Sequence, residues 1–183
     1  MRVMVYDNSS QTPEIELADS WQLGGWLYRR FGKLDASRGF SSWAKAIAWL
    51  RDFKYVDEVQ FWGHGSPGAL WIGRERLHVP DLKGLDVRNL FWARTCSSFA
   101  GYPGQRLAWE LAQTLGCRVA GHTYKIGPFQ SGLRTLAPTE MASWSPYEGV
   151  IKGDSTAPLD TAWSTPWAPR TINCLQSEIP SGW

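Results

Sequence analysis

The stretch EVQFWGHGSPG, residues 58–68, is an apolar run that stops abruptly at His64, between two glycines. A second run, RNLFWARTCSSFAG at residues 88–101, stops in the same manner at Cys96, beside small polar residues. Short apolar runs bounded by Gly, Ser and Pro read as buried strands. Two parallel strands of one sheet point their carboxyl ends at the same edge. The fold therefore turns on whether these two strands are parallel neighbours, because only then do an imidazole and a thiol meet.

The flanking sequence supports a parallel sheet. RVMVYD, residues 2–7, reads as a buried strand closed by Asp7 and the turn cluster Asn8-Ser9-Ser10. A helix is expected over residues 19–31, capped by Asp19 or Ser20, with Leu23, Leu27 and Phe31 on one face and weakened by Gly24 and Gly25. Residues 40–53, FSSWAKAIAWLRDF, place Trp43, Ala46, Ile47, Leu50 and Phe53 at helical spacing behind a Ser41 or Ser42 cap. ALWIGRERLHV, residues 69–79, alternates and turns near Gly73–Glu75, the pattern of a hairpin. GYPGQRLAWELAQTLG, residues 101–116, spaces Leu107, Leu111 and Leu115 four apart and stops at Gly116; CRVAGHT, residues 117–123, is the strand after it. Strands alternating with helices predict an α/β fold with a mostly parallel central sheet covered on both faces, an α/β/α sandwich of three layers. Asp7, His64, Cys96 and His122 then gather along the carboxyl edge, where open α/β sheets place their sites.

Beyond Pro128 the periodicity dissolves. Residues 1–150 read as the α/β domain and residues 151–183 as an irregular Pro- and Trp-rich tail, either packed or docked elsewhere. A Pro- and Trp-rich segment without a core role further raises the expectation of a tail that covers the cleft and restrains activity.

Composition narrows the function. The chain has 183 residues, 43% hydrophobic and 20% charged, long enough for one well-filled core. A net charge of +2 argues against nucleic acid or a membrane surface as partner. The amino terminus reads as a strand rather than a secretion signal, and three cysteines without framework spacing fit a reducing, cytoplasmic setting. The scattered Cys and His residues suit neither zinc nor another metal, no cofactor motif is present, and oligomeric state is left open. Twelve tryptophans serve core and rim packing, or alternatively an aromatic platform for a glycan or peptide.

Cys96 is the one cysteine expected at a parallel-strand carboxyl end; Cys117 opens a strand as a small buried hydrophobe, and Cys174 lies in the tail. A histidine beside a thiol supports nucleophilic catalysis by accepting its proton or pairing with the thiolate. Gly65 and Cys96 could aim their N–H groups at a developing oxyanion.

VQFWGHGSPGALWIG followed by LFWARTCSSFAGYPGQRLAWELAQTLGCRVAGHT resembles the caspase-like cysteine peptidases, most closely their compact bacterial members, over roughly residues 1–125. The resemblance implies a caspase-like fold. It implies an endopeptidase in which Cys96 is the nucleophile, His64 the general acid/base and the Gly65 and Cys96 amides the oxyanion hole, acting through a thioester acyl-enzyme on a protein or peptide substrate. It also implies a charge-selective pocket, to which Asp7 (for basic side chains), Arg94 (for acidic ones) and His122 are the candidate contributors. The chain departs from the family at Arg94-Thr95, where many members carry an acidic residue or Gln followed by Ala. Two other functions fit the same residues: a catalytically silent module of this fold gripping a partner protein or glycan through its tryptophans, and a thiol hydrolase of small amides or esters.

Overall fold

The chain lays down β1 (Arg2–Asp7), α1 (Ile15–Arg30), β2 (Ala36–Phe40), α2 (Trp43–Arg51), β3 (Val56–Trp62), β4 (His64–Ser66), β5 (Ala69–Ile72), β6 (Glu75–Arg76), β7 (Val87–Arg94), α3 (Gly101–Leu115), β8 (Arg118–His122), β9 (Phe129–Gln130), β10 (Leu133–Leu136), β11 (Val150–Gly153), β12 (Pro158–Thr161) and β13 (Ile172–Asn173). This computed structural model describes residues 1–9 and 15–183, with α1 side chains from Ala18 onward. Six strands form the central sheet in the order β10-β8-β7-β3-β1-β2. All neighbours are parallel except β10, which runs antiparallel to β8. The fold is thus mixed α/β around a mostly parallel sheet.

The period-two alternation of each strand divides the core. Val3, Val5, Val59, Phe61, Phe91 and Ala93 join the largest apolar cluster, together with Trp43, Ile47 and Leu50 of α2 and Leu107, Leu111 and Leu115 of α3. The intervening residues Met4, Tyr6 and Trp62 pack with Tyr28 of α1. Trp92 and Ala120 pack with Leu133 and with Ile172 from the C-terminal segment. Parallel strands buried on both faces read as near-continuous apolar runs, which is why β3 and β7 stood out in the sequence.

Helices α2 and α3 follow the sequence reading, with Ser42 accepting the Lys45 N–H as cap of α2. Helix α1 does not. It begins at Ile15, so Asp19 and Ser20 lie inside it, and its cap falls among residues outside those described, as does Ser10 of the expected turn cluster. The face is also rotated: Leu23 is 56% and Phe31 70% exposed, whereas Gly25 and Tyr28 are buried. One of the two glycines that weaken the helix eases its docking. A Cβ at Gly25 would come within 3.0 Å of Ser37 Oγ and 3.3 Å of the Met4 sulfur, tighter than ordinary contact, so glycine favours this approach to β1 and β2.

Strand β2 has no counterpart in the sequence reading. ASRGF is a half-exposed edge strand without an apolar stripe, held by its pairing with β1. The boundary expected at residue 150 falls inside β11. The C-terminal segment is packed: β13 pairs with β9, β11 with β12, and Ile172 is buried. Among the described residues no helix is long and apolar enough to cross a membrane.

Candidate active site

Strands β3 and β7 are immediate parallel neighbours, and Trp62 faces Arg94 in register. His64 and Cys96 each lie two residues past that pair. Their approach is tight. A Cβ on Gly65 would strike the Cys96 carbonyl oxygen and come within 2.6 Å of Thr95 Oγ1, so the His-Gly dipeptide is a steric requirement of the contact between the two loops. Farther along, the Gly68 N–H donates to the Ser98 carbonyl, clamping the β4–β5 turn onto the loop after β7. The expected hairpin is present as the three-stranded sheet β4-β5-β6. Within it the Leu70 carbonyl accepts from the Leu77 N–H, so Leu70 turns its backbone groups toward β6, and its partner Gly65 turns its own away from β5.

Past Cys96 the chain bends sharply, because Ser97 adopts a left-handed φ of 53°. That conformation is sparsely populated for a residue with a side chain and costs on the order of 1–3 kcal/mol. It is held by the Ser97 N–H donating to the Tyr124 carbonyl (2.9 Å), by the Phe99 N–H donating to the His122 carbonyl (3.0 Å), and by a hydroxyl contact between Ser97 and Thr161. Cys96 stands at the apex of the bend. Its Sγ accepts from the Ile126 N–H at 3.4 Å and lies 3.8 Å from the Ile126 carbonyl. The His64 ring stands edge-on to Trp21 of α1, with centroids 5.4 Å apart. No hydrogen bond joins His64 to Cys96 among the described residues. Burial pushes the Cys96 thiol above its ordinary pKa, a rise opposed by the Ile126 backbone and the Lys125 charge. The resting sulfur is therefore a neutral thiol.

His64 and Cys96 line one cavity of about 450 Å³, walled by α1, by residues 126–128 and by Cys174 and Leu175. Arg94 forms part of its floor, 1% exposed. All five guanidinium N–H groups are committed: Nε and Nη2 to Gln130 Oε1, Nη1 to the Tyr28 hydroxyl and Gln176 carbonyl, and Nη2 also to the Cys174 carbonyl. Its carbon lies 4.4 Å from the centres of both the Trp62 and Trp92 rings. Arg94 thus ties the C-terminal segment and α1 to the sheet.

The other two candidates for the pocket lie elsewhere. Asp7 is buried, accepting the Ser9 and Gly73 N–H groups at 2.8 and 2.9 Å; it joins the end of β1 to the β5–β6 turn and does not line the cavity. His122 is fully buried, with Nδ1 against the Ser131 carbonyl and Nε2 without a partner among the described residues, and it too is absent from the cavity wall. Burial lowers its pKa to about 3, so it is neutral. Cys117 is a core thiol, its pKa raised by burial to about 11.

Sequence reasoning missed Trp21, Tyr28, Ile126 and Gln130. None follows a motif: Trp21 and Tyr28 come from the rotated face of α1, Ile126 from an irregular loop and Gln130 from the two-residue strand β9. The glycine pair at 24–25 was the available signal for α1, since two adjacent glycines in a helix mark a close approach. The sequence matches no family model, and no curated protein matches it.

Proposed function

We propose that the chain is a cysteine endopeptidase of the caspase-like type, its sheet and helices read as a three-layer α/β/α sandwich of that family. The observation that carries this reading is the pairing of Trp62 with Arg94, which brings His64 and Cys96 to one cavity wall at the carboxyl edge of a parallel sheet. The strand order, with a single antiparallel edge strand after β8, agrees with the proposal. In the proposed reaction His64 takes the proton from the Cys96 thiol as the sulfur attacks the peptide carbonyl. The amides of Gly65 and Cys96 stabilise the oxyanion, and the imidazolium returns the proton to the leaving amine. Water, deprotonated by His64, then releases the acyl group from the thioester. Because the resting thiol is neutral, His64 acts as general base rather than as half of a standing ion pair.

The test is alkylation and turnover. Iodoacetamide and a peptidyl acyloxymethyl ketone are expected to modify Cys96, the modification disappearing in Cys96→Ala and slowing at least tenfold in His64→Ala. Labelling indifferent to His64 refutes the dyad. A second reading, a silent binding module, draws on the neutral thiol and on the surface exposure of Trp163 and Trp167. A partner or glycan bound equally well by Cys96→Ala, with no peptide cut by the parent chain, would establish it instead.

A further inference from the structure

We propose that the cavity beside Cys96 is a specificity pocket for a large uncharged apolar side chain, leucine-like or aromatic, at the substrate residue preceding the cleaved bond. This rests on the peptidase reading above and departs from the charge-selective pocket that the family resemblance implies.

Neither kind of charge selection is available to this cavity. A pocket that selects an acidic side chain needs a free cationic donor. Arg94 is the cation on the cavity floor, and each of its N–H groups already has a protein acceptor. A substrate carboxylate would have to displace the Tyr28 hydroxyl, the Gln130 amide oxygen or the Cys174 and Gln176 carbonyls from the guanidinium, and the buried Gln130 oxygen would be left without a donor. A pocket that selects a basic side chain needs a carboxylate. Among the described residues no Asp or Glu lines this cavity, and Asp7, the nearest candidate by topology, is turned to Ser9 and Gly73. A desolvated ammonium or guanidinium beside the buried Arg94 cation would also be repelled.

What remains is apolar. Leu23 and Leu27 of α1, Trp62 of β3, Ile126 and Leu175 line the space that His64 and Cys96 open into. At about 450 Å³ it falls within the range of roughly 300–1,000 Å³ typical of small-ligand sites. Gly24 leaves part of this room: a Cβ placed there would rest 3.5 Å from the Trp62 ring, in ordinary contact, so a larger side chain at 24 would grow over that ring into the cavity. Burying one Leu- or Phe-sized side chain favours it over a charged one by roughly 10- to 100-fold in acylation rate.

The experiment uses the full chain with four acyloxymethyl ketones identical except for Leu, Phe, Asp or Arg beside the warhead, with adduct formation at Cys96 followed by intact mass. The Leu and Phe probes are expected to react at least tenfold faster than the Asp and Arg probes. Gly24→Leu should erase that preference by filling the pocket. Leu175→Asp, at a position 66% exposed and so tolerant of substitution, should raise the relative rate of the Arg probe several-fold. Faster reaction of the Asp or Arg probe, or equal rates for all four, overturns the pocket assignment and leaves the peptidase standing. No adduct with any peptidyl probe, while iodoacetamide still labels Cys96, overturns both.

Discussion

Replacing Arg94 by methionine probes the keystone of the site. The side chain is 1% exposed and its five N–H groups serve four acceptors: Gln130 Oε1, the Tyr28 hydroxyl and the Cys174 and Gln176 carbonyls. Methionine fills similar volume and leaves all four without this donor. The Cys174 and Gln176 carbonyls keep the Tyr28 hydroxyl as donor, so Gln130 Oε1 and the Tyr28 oxygen are the acceptors stripped; at about 1–3 kcal/mol each the loss is roughly 2–6 kcal/mol. Loss of the guanidinium from two indole faces adds about 1–4 kcal/mol. Against this stands the relief of desolvating a cation that no carboxylate touches directly among the described residues, worth several kcal/mol. The net expectation is a loss of about 1–3 kcal/mol; at about 2–4 °C per kcal/mol for a chain of this size, the melting temperature should fall by roughly 2–12 °C. Arg94→Lys should lie between, since an ammonium has three donors and cannot span the four acceptors. Urea unfolding followed by tryptophan fluorescence gives the stability, and limited chymotrypsin digestion reports release of residues 172–183. An Arg94→Met chain within about 0.5 kcal/mol of the parent, the scatter of ordinary surface substitutions, would refute the keystone reasoning, most directly with the C-terminal segment equally protected.

Three further outcomes follow from the same geometry. Gly65→Ala should force the Cys96 loop away, costing about 1–3 kcal/mol as overpacking does and slowing Cys96 alkylation by a peptidyl probe at least tenfold; a normal melt with normal labelling would contradict it. His122 has a folded pKa lowered to about 3 by burial, against about 6.5 when unfolded, so the unfolded chain binds the extra proton between those values. Stability should therefore fall as pH drops from 6 to 4, by up to about 1.4 kcal/mol per unit from this residue, and His122→Asn should show a shallower decline over that window; parallel curves would show that His122 does not contribute. The Cys96 thiol, raised by burial, should alkylate with a pH midpoint above that of N-acetylcysteine measured alongside; a midpoint below it would mean that the sulfur is held as a thiolate at rest.

The sequence was legible where one physical signal dominated. Strands β3 and β7 carry short apolar runs toward their carboxyl ends, Phe61-Trp62 and Leu90–Ala93, and α2 and α3 left clean 3.6-residue periodicity. The placement of His64 and Cys96 was legible for a related reason: parallel neighbouring strands end at a fixed edge, which puts both residues there. Strand β2 was illegible because an edge strand held by backbone pairing needs no apolar stripe. Helix α1 was misread because its docking face is built from Gly25 and Tyr28, and a face made partly of glycine has no hydrophobic periodicity to find. For Arg94 the region was legible and the role was not. Its sequence position announces a charge beside the cysteine, whereas the acceptors that consume it come from residues 28, 130, 174 and 176. No local pattern brings those four together.

The spent charge of Arg94 links architecture to chemistry. An arginine two residues before the proposed nucleophile Cys96, left free, would offer a cation both to a substrate carboxylate and to the sulfur as a thiolate. Here the fold uses it to hold the C-terminal segment as a cavity wall, and its positive charge is shared among neutral acceptors and two indole faces. The sulfur gains no direct hydrogen bond from it and instead meets the Ile126 backbone. A thiol raised in this way favours its protonated form, so the proposed mechanism places the burden of activation on His64. The same commitment that withholds a charge from Cys96 withholds one from the cavity. In the proposed peptidase, activation by an imidazole and selection by apolar contact would both follow from one arginine being fully bonded, and a substitution that frees its N–H groups, such as Gln130→Ala, should disturb both together.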